Sequence, residues 1–301
     1  MGKRGRAIAG LAAGIVAALP GQRAAAYTAS GDRVFSATLI LPQLTPGDEF
    51  YLNYNMLPLS SSGAGSANRS TNFTATWGKT ITESLGFYVE ETYTGIGIEG
   101  DGTQWGWQNL DGELKYVAVN NLAHEFVMSL GLDRETGGTG ATRVGAFPSG
   151  ATTPRLYMGK GLGDLDIGYL RPLAVTTLTG VQLADSAPRP DVFNQGLVVE
   201  YSIPYLQSKV QSFDLPDLVR NMTPITEVLF TAPAGRSYGE HSTALVAPGV
   251  SYAGEGWELG VEAQIPASRA TGSGIGVTAQ LHIALDFLFP STIGKPLFSS
   301  Q

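Results

Sequence analysis

Cysteine is missing from all 301 residues, which excludes disulfides, thiolate metal sites and haem attachment through Cys-x-x-Cys-His. Histidine is scarce, with three in the whole chain, and no two of them lie at metal-ligand spacing. No run reaches the roughly 18 consecutive apolar residues that a helical membrane span needs. Charged residues make up only 15% of the chain, and basic ones are the scarcer, 19 against 26 acidic. A chain so balanced has no electrostatic footprint for nucleic acid. Neither a cofactor nor covalent chemistry follows from what remains.

The start of the chain reads as an export signal. Lys3, Arg4 and Arg6 precede a short apolar stretch from Ala7 to Leu19, and Ala24-Ala25-Ala26 offers a small-residue cleavage site. The mature protein is therefore expected to begin near Tyr27. Without Lys3, Arg4, Arg6 and Arg23 the remaining chain carries 15 basic against 26 acidic residues, a balance of about −11.

The most ordered pattern lies at the other end. From Val277 the odd positions read Val277, Ala279, Leu281, Ile283, Leu285, Phe287 and Phe289, and the even ones Thr278, Gln280, His282, Ala284, Asp286 and Leu288. Side chains alternate faces along a strand, so one face is apolar and the other mainly polar. The run exceeds the ~5–6 residues usual for strands and suits the ~9–11 that cross a bilayer as a tilted strand. A long strand with one greasy and one wet face fits a lipid-embedded barrel with a watery lumen, and Phe287 and Phe289 fit an interfacial girdle.

The same rhythm recurs. Alternating segments run over Glu49–Leu57, Ser70–Trp77, Glu83–Tyr93, Gly112–Val119, His124–Asp133, Leu173–Leu183, Phe193–Tyr205, Thr223–Ala232, Ser242–Tyr252 and Trp257–Pro266. Arg155 to Arg171 is either an interrupted strand or partly helical. Asp214 to Asn221 reads as a short helix, with Pro216 in the first turn and Asp214 as cap. A long Gly-rich loop is expected from Thr94 to Asp111, carrying Trp105 and Trp107, and another from Arg134 to Pro154. The count comes to about twelve strands, even as bacterial barrels require, with short turns at one end and long loops at the other. The expectation is an all-β, transmembrane, antiparallel up-and-down barrel over 49–289. Residues 1–26 would be the signal, 27–48 a periplasmic lead-in or part of a strand, and 290–301 a tail.

If the apolar faces meet lipid, the opposite faces line a lumen. They offer Glu90, Glu113, Lys115, Glu125, Glu200, Glu227, Glu258, Glu262, Gln264, Gln280 and His282. Two readings stand side by side: an acidic pore favouring neutral or cationic solutes, or a self-satisfied polar network that fills a narrow barrel. Tyr88 and the two tryptophans serve either as an apolar entrance for aromatic solutes or as interfacial anchors. An enzyme is not expected. A serine nucleophile needs a histidine within reach. His124 opens a strand, His241 sits in a polar loop, His282 has no serine near it on its own strand, and the outward faces look purely apolar. Gly159-Lys160-Gly161-Leu162-Gly163 lacks the ending of a phosphate loop.

Particular residues go beyond pattern. Gly161-Leu162-Gly163-Asp164 with Leu170-Arg171-Pro172, Pro204-Tyr205-Leu206-Gln207-Ser208, Leu215-Pro216-Asp217, Leu259-Gly260-Val261-Glu262-Ala263 with Ile265-Pro266, and Phe289-Pro290 with Gly294-Lys295-Pro296-Leu297-Phe298 together resemble a family of Gram-negative outer-membrane barrel transporters. Its relatives accompany gene clusters for phenol and aromatic meta-cleavage degradation. The match covers about Leu156 to Phe298. It implies outer-membrane location, passive transport of small solutes, aromatic or hydrophobic ones among them, and contact with outer-membrane lipid, lipopolysaccharide and the barrel-assembly machinery. A sealed structural or adhesive barrel, or an outer-membrane lipid hydrolase, are the alternative readings.

Overall fold

A computed structural model describes residues 28–60, 63–187, 189–236 and 241–298; the expected signal, 1–26, lies outside the described residues. Two short strands, β1 (Ala29–Ser30) and β2 (Arg33–Val34), pair with each other. The next thirteen build one sheet. They are β3 (Glu49–Pro58), β4 (Ala67–Thr80), β5 (Leu85–Ile98), β6 (Gly102–Trp107), β7 (Leu110–Asn121), β8 (Phe126–Thr136) and β9 (Ala151–Gly161), then β10 (Leu173–Ala184), β11 (Asp191–Tyr201), β12 (Met222–Ala234), β13 (Thr243–Ala253), β14 (Trp257–Pro266) and β15 (Gly276–Ala284). Apart from β6 and β7, which both pair with β5 and not with each other, each pairs antiparallel with its chain neighbours, and β15 pairs with β3, so the sheet closes on itself.

The barrel has twelve staves because β6 and β7 share one. β6 pairs with the upper half of β5, from Tyr93↔Trp107 to Ile98↔Gly102. β7 pairs with the lower half, from Leu85↔Tyr116 to Glu90↔Asp111. The ladder breaks at Gln108 and Asn109, and the far edge of β6 is covered by the 137–150 loop, where Ala141 N donates to Trp107 O. Closure removes the unpaired edges that an open sheet would present. Strands alternate buried inward and exposed outward residues, with Leu130, Leu132, Leu197, Val199, Leu259 and Val261 exposed on the outside. The outward face is not purely apolar: alternation with the inward Glu90 places Glu91 on it, opposite Ala75 midway along β4.

Several expected boundaries move. Most of the Thr94–Asp111 loop is strand, turning only at 99–101, so Trp105 and Trp107 stand on the outer wall against Tyr93, Trp105 stacked at a centroid distance of 5.5 Å and Trp107 tilted at 4.8 Å. Glycine richness there serves a tight turn (Gly100 and Gly102 have φ 83° and 78°), not a long loop. The Arg155–Arg171 segment divides into strand up to Gly161 and a loop with one 3-10 turn at Gly168–Leu170. The strand expected over Phe193–Tyr205 ends at Tyr201, where Ser202 accepts from Tyr205 N and caps the helical turn α1 (Ile203–Tyr205). The later helix, α2, is only Asp217–Arg220, with Pro216 rather than Asp214 at its cap position. The closing strand stops at Ala284. Leu285 N and Asp286 N turn to Asp48 O, giving the helical turn α3 (Leu285–Leu288), so Phe287 and Phe289 leave the strand.

The largest correction concerns the lead-in. Residues 35–48 do not stay outside the barrel; they form a re-entrant hairpin inside it, with Phe35, Leu39, Leu41 and Leu44 buried. Its tip closes on itself: Gln43 Oε1 accepts from Thr38 N and Gln43 Nε2 donates to Thr38 O. The wall makes room with glycine. A Cβ at Gly159 would lie 2.3 Å from Leu44, one at Gly196 2.6 Å from Leu41, and one at Gly260 2.7 Å from Leu39. Three inward glycines on three staves thus receive three leucines.

Overpacking a filled site costs about 1–3 kcal/mol. Gly196→Val is expected to lift the hairpin rather than unfold the wall. With no native cysteine to interfere, Ala37→Cys reports on this directly. Maleimide should label it roughly tenfold faster or more in the Gly196→Val background, while the folded barrel's faster gel migration before heating persists. Equal labelling rates would refute the seat.

Candidate functional site

Inside the wall, charged groups gather where β5, β7, β8 and β9 adjoin. Register places Gly131 between Lys115 and Arg155, and its missing side chain leaves the space that the Glu113 carboxylate occupies. Glu113 receives Lys115 at 3.2 Å, Arg155 at 3.5 Å and the Tyr157 hydroxyl at 2.6 Å. Arg155 also pairs with Asp133 at 3.0 Å. Lys115 sits 4.2 Å from the Tyr157 ring centroid and 4.8 Å from that of Tyr88, and donates to Gln43 O in the hairpin. A fully buried ammonium is tolerable only with such partners.

The opposite wall holds the hairpin by its main chain. Glu227 accepts from the N–H groups of Leu39, Ile40 and Leu41. Glu200 accepts from Ser36 N and Glu258 from Ala37 N. Gln280 Nε2 donates to Thr38 O at 2.8 Å and Asn53 Nδ2 to Leu39 O at 3.0 Å. Below them Glu49 accepts the Tyr88 hydroxyl and meets His282 Nε2 at 3.0 Å, with Tyr51 stacked on His282 at 4.4 Å.

At the end where the hairpin enters, Arg33 is a fully buried lock. It contacts Glu125 at 3.2 Å, donates to the carbonyls of Pro172, Arg171 and Leu173, and lies 4.1 Å from the Tyr205 ring centroid. Glu125 does not belong to a strand. It follows the 3-10 turn Leu122–His124 and, among the described residues, is the one non-glycine with positive φ, 48°. That left-handed backbone is costly for a side chain. It turns the carboxylate inward, where it also accepts from Tyr205 Oη and Gly163 N. His124 ends that turn, exposed, 3.2 Å from Asp164; Lys160 and His124 hold the Asp164 carboxyl below its usual range.

Two large cavities flank the hairpin. One of about 610 Å³ lies toward the long loops, lined by Asn53, Asn72, Thr74, Thr92, Thr94 and Asn109 among others. Down its wall run the cross-strand pairs Asn72–Thr94, Thr74–Thr92 and Thr76–Glu90. It continues into a space of about 160 Å³ between the hairpin and the charged wall. Beyond Tyr51, Glu49 and His282, where only about 10 Å³ is left, a second cavity of about 660 Å³ lies between the hairpin base, Ser84, Asn120, Asp286 and Lys295.

All eleven side chains singled out from sequence thus sit inside the barrel, ten of them on strands, but their surroundings differ. Glu90, Glu113, Lys115 and Gln280 border the 160 Å³ space. Glu125, Glu200, Glu227 and Glu258 are covered by the hairpin or its base, His282 is enclosed with Glu49, and Glu262 and Gln264 are buried in the wall. Sequence reasoning missed Arg33, Arg155 and Arg189, the cations that oppose the acids. Arg155 fell in the segment of uncertain structure, whereas its alternation with Tyr157 would have placed both on one face. Among the described residues no group of three or more His, Asp or Glu side chains is arranged to hold a metal ion.

No protein-family profile matches the chain, and no curated protein matches it. Solved structures do. An outer membrane channel from Pseudomonas putida is 12% identical, with 83% of this chain and 99% of that one aligned at a TM-score of 0.54. A KdgM porin is 10% identical over 78% and 98% of the two chains at 0.47, and LpxR from Salmonella typhimurium 8% over 78% and 99% at 0.45. At such identities the likeness to the channel shows a shared fold: a closed twelve-stranded antiparallel barrel.

Two outcomes test the site's electrostatics. Glu113→Leu strands Lys115 in the interior and is expected to cost about 3–5 kcal/mol, whereas Arg134→Leu, which breaks the exposed Arg134–Asp185 pair, should cost at most about 1 kcal/mol. Denaturant midpoints in detergent, read by tryptophan fluorescence, would compare them, and equal shifts would contradict the buried pairing. At the second cavity, burial and then Glu49 and Asp48 push the Asp286 carboxyl up to about 7, partly offset by Phe287 N–H. A raised acid stabilises the fold when protonated, so that contribution is full below about pH 4 and lost as pH rises through about 7. Hydrogen exchange of residues 285–298 should accelerate over that window, and Asp286→Asn should flatten the profile.

Proposed function

We propose that the protein is an outer-membrane channel for passive diffusion of small molecules, exported through residues 1–26 and folded by the barrel-assembly machinery. The observation that carries this reading is the pair of cavities at opposite ends of one lumen, separated by a hairpin held through hydrogen bonds rather than by a continuous wall. An apolar exterior with an aromatic cluster around Tyr93, Trp105 and Trp107 suits a lipid and lipopolysaccharide setting. The fold shared with an outer membrane channel supports the same class. Acidic residues exceed basic ones along the path, which favours neutral and cationic solutes over anions. Aromatic and hydrophobic solutes are the class that the sequence resemblance implies, and the Asn72-to-Glu90 ladder supplies hydrogen bonds for a phenolic hydroxyl on the way in.

A sealed barrel acting through its long loops is the second reading. It is favoured by the hairpin, whose leucines fill glycine notches and whose tip neutralises wall carboxylates.

Liposomes carrying the protein separate the two. Phenol-like aromatics, sugars, amines and carboxylates are compared after subtraction of leakage into protein-free vesicles. The channel reading expects selective uptake, increased severalfold by Glu227→Leu, which removes the acceptor of three main-chain N–H groups at roughly 1–3 kcal/mol for each one orphaned. Uptake of nothing above background, in the wild type and in Glu227→Leu alike, would overturn the channel and leave the sealed barrel.

A further inference from the structure

Glu262 faces inward on β14 with 1% of its surface exposed, and neither carboxylate oxygen has a hydrogen-bond partner. Two residues along the same face, Gln264 is equally buried at 1%, and its Nε2 is also unpartnered. Every other inward-facing wall carboxylate described above is engaged by a hairpin N–H, a hydroxyl or a cation. An ionised carboxylate left alone in such a place is expensive, and so is an amide donor without an acceptor. Two orphans of opposite hydrogen-bonding sense, side by side, describe the complement of a ligand.

The surroundings narrow its chemistry. Glu227 is a second carboxyl group nearby, so an anion is disfavoured. A bare metal ion would satisfy Glu262 but face the N–H side of Gln264, which repels it. Thr278, opposite Glu262 on β15, spends its hydroxyl hydrogen on Tyr54 O, leaving its oxygen free to accept. The neighbours across the strands are small: Gly249 opposite Glu262 and Gly276 opposite Gln264. Thr278, the cross-strand neighbour of Glu262, lines the 610 Å³ cavity together with Leu39 and Ile40 of the hairpin.

We propose that Glu262 and Gln264 form a binding point for a small organic ammonium compound with an adjacent oxygen acceptor, an amino alcohol being the simplest case. The ammonium donates to Glu262 and Thr278 Oγ1; the oxygen accepts from Gln264 Nε2. Ile40 and Leu39 close over it. The role as a solute site rests on the channel reading; the binding itself does not.

Saturation-transfer difference NMR on the purified barrel in detergent tests this with ethanolamine, ethylammonium, ethylene glycol and glycolate as probes. Ethanolamine is expected to receive saturation most strongly, ethylammonium less, and the glycol and the anion at background. Isosteric Glu262→Gln should weaken ethanolamine at least tenfold, whereas Glu255→Gln, in an exposed turn, should not. Gln264→Leu should abolish the preference for ethanolamine over ethylammonium while leaving ethylammonium bound, an outcome that loss of folding would not produce. Equal signals from all four probes, or ethanolamine binding unchanged in both Glu262→Gln and Gln264→Leu, would overturn the site. Binding in detergent without flux into liposomes would remove the channel and leave the site. Flux without specific binding would do the reverse.

Discussion

A chain segment threaded through the inside of a barrel has no sheet to join. The staves satisfy their own main-chain groups through the closed ladder, but the hairpin at residues 35–48 brings N–H and C=O groups into a space where unpaired polar groups are costly. The interior is built around meeting that demand. Glu227 alone serves three consecutive N–H groups, while Glu200, Glu258, Gln280, Asn53 and Lys115 serve others from five further staves. The lumen's polarity, read in isolation as a pore lining, is in large part the hairpin's substitute for a β-ladder.

The same requirement explains the glycines. A twelve-stranded barrel lies between side-chain-filled small barrels and open porins. Its lumen can hold a hairpin only where wall side chains are withdrawn. Gly159, Gly196 and Gly260 withdraw them opposite Leu44, Leu41 and Leu39, so apolar side chains pack against bare backbone while the hairpin's own backbone turns to carboxylates between the notches. Apolar seats and polar anchors alternate, and neither would position the hairpin alone.

The staves were legible because alternation is a local signal: each strand's two faces can be read without knowing its neighbours. Strand-to-turn decisions were less so. Gly-rich 94–111 looks like a loop, yet it forms two paired strands, because pairing between β5 and β6 outweighs the weak propensity of Gly95, Gly97 and Gly106. Leu285 to Phe289 alternates well and is nonetheless a helical turn, because Asp48 O captures its first N–H groups. The hairpin was illegible in principle. Arg33–Leu41 is a short apolar run like many others, and most partners that hold it inside are distant in sequence: Arg171 and Pro172 for Arg33, Glu200 for Ser36, Glu227 for Leu39. Likewise the acid-rich list from the strand faces gave the lumen too negative a character, since Arg33 and Arg155 lay in segments without a clear pattern.

These features bear on how a solute would pass. Along the charged wall, Lys115 and Arg155 are spoken for by Glu113 and Asp133, so the field near the 160 Å³ space is that of paired charges with Glu90 and Asp111 in excess. Along the hairpin wall, carboxylates are quenched by main-chain donors as long as the hairpin stays. Moving the hairpin therefore does two things at once: it widens the path, and it uncovers Glu200, Glu227 and Glu258 as free acceptors. An uncovered row of carboxylates favours a solute that brings hydrogen-bond donors and disfavours an anion, so in the proposed channel width and selectivity are coupled through one element. A purely steric gate would lack that coupling. Here the element that obstructs the lumen is also the one whose main-chain donors cover its carboxylates.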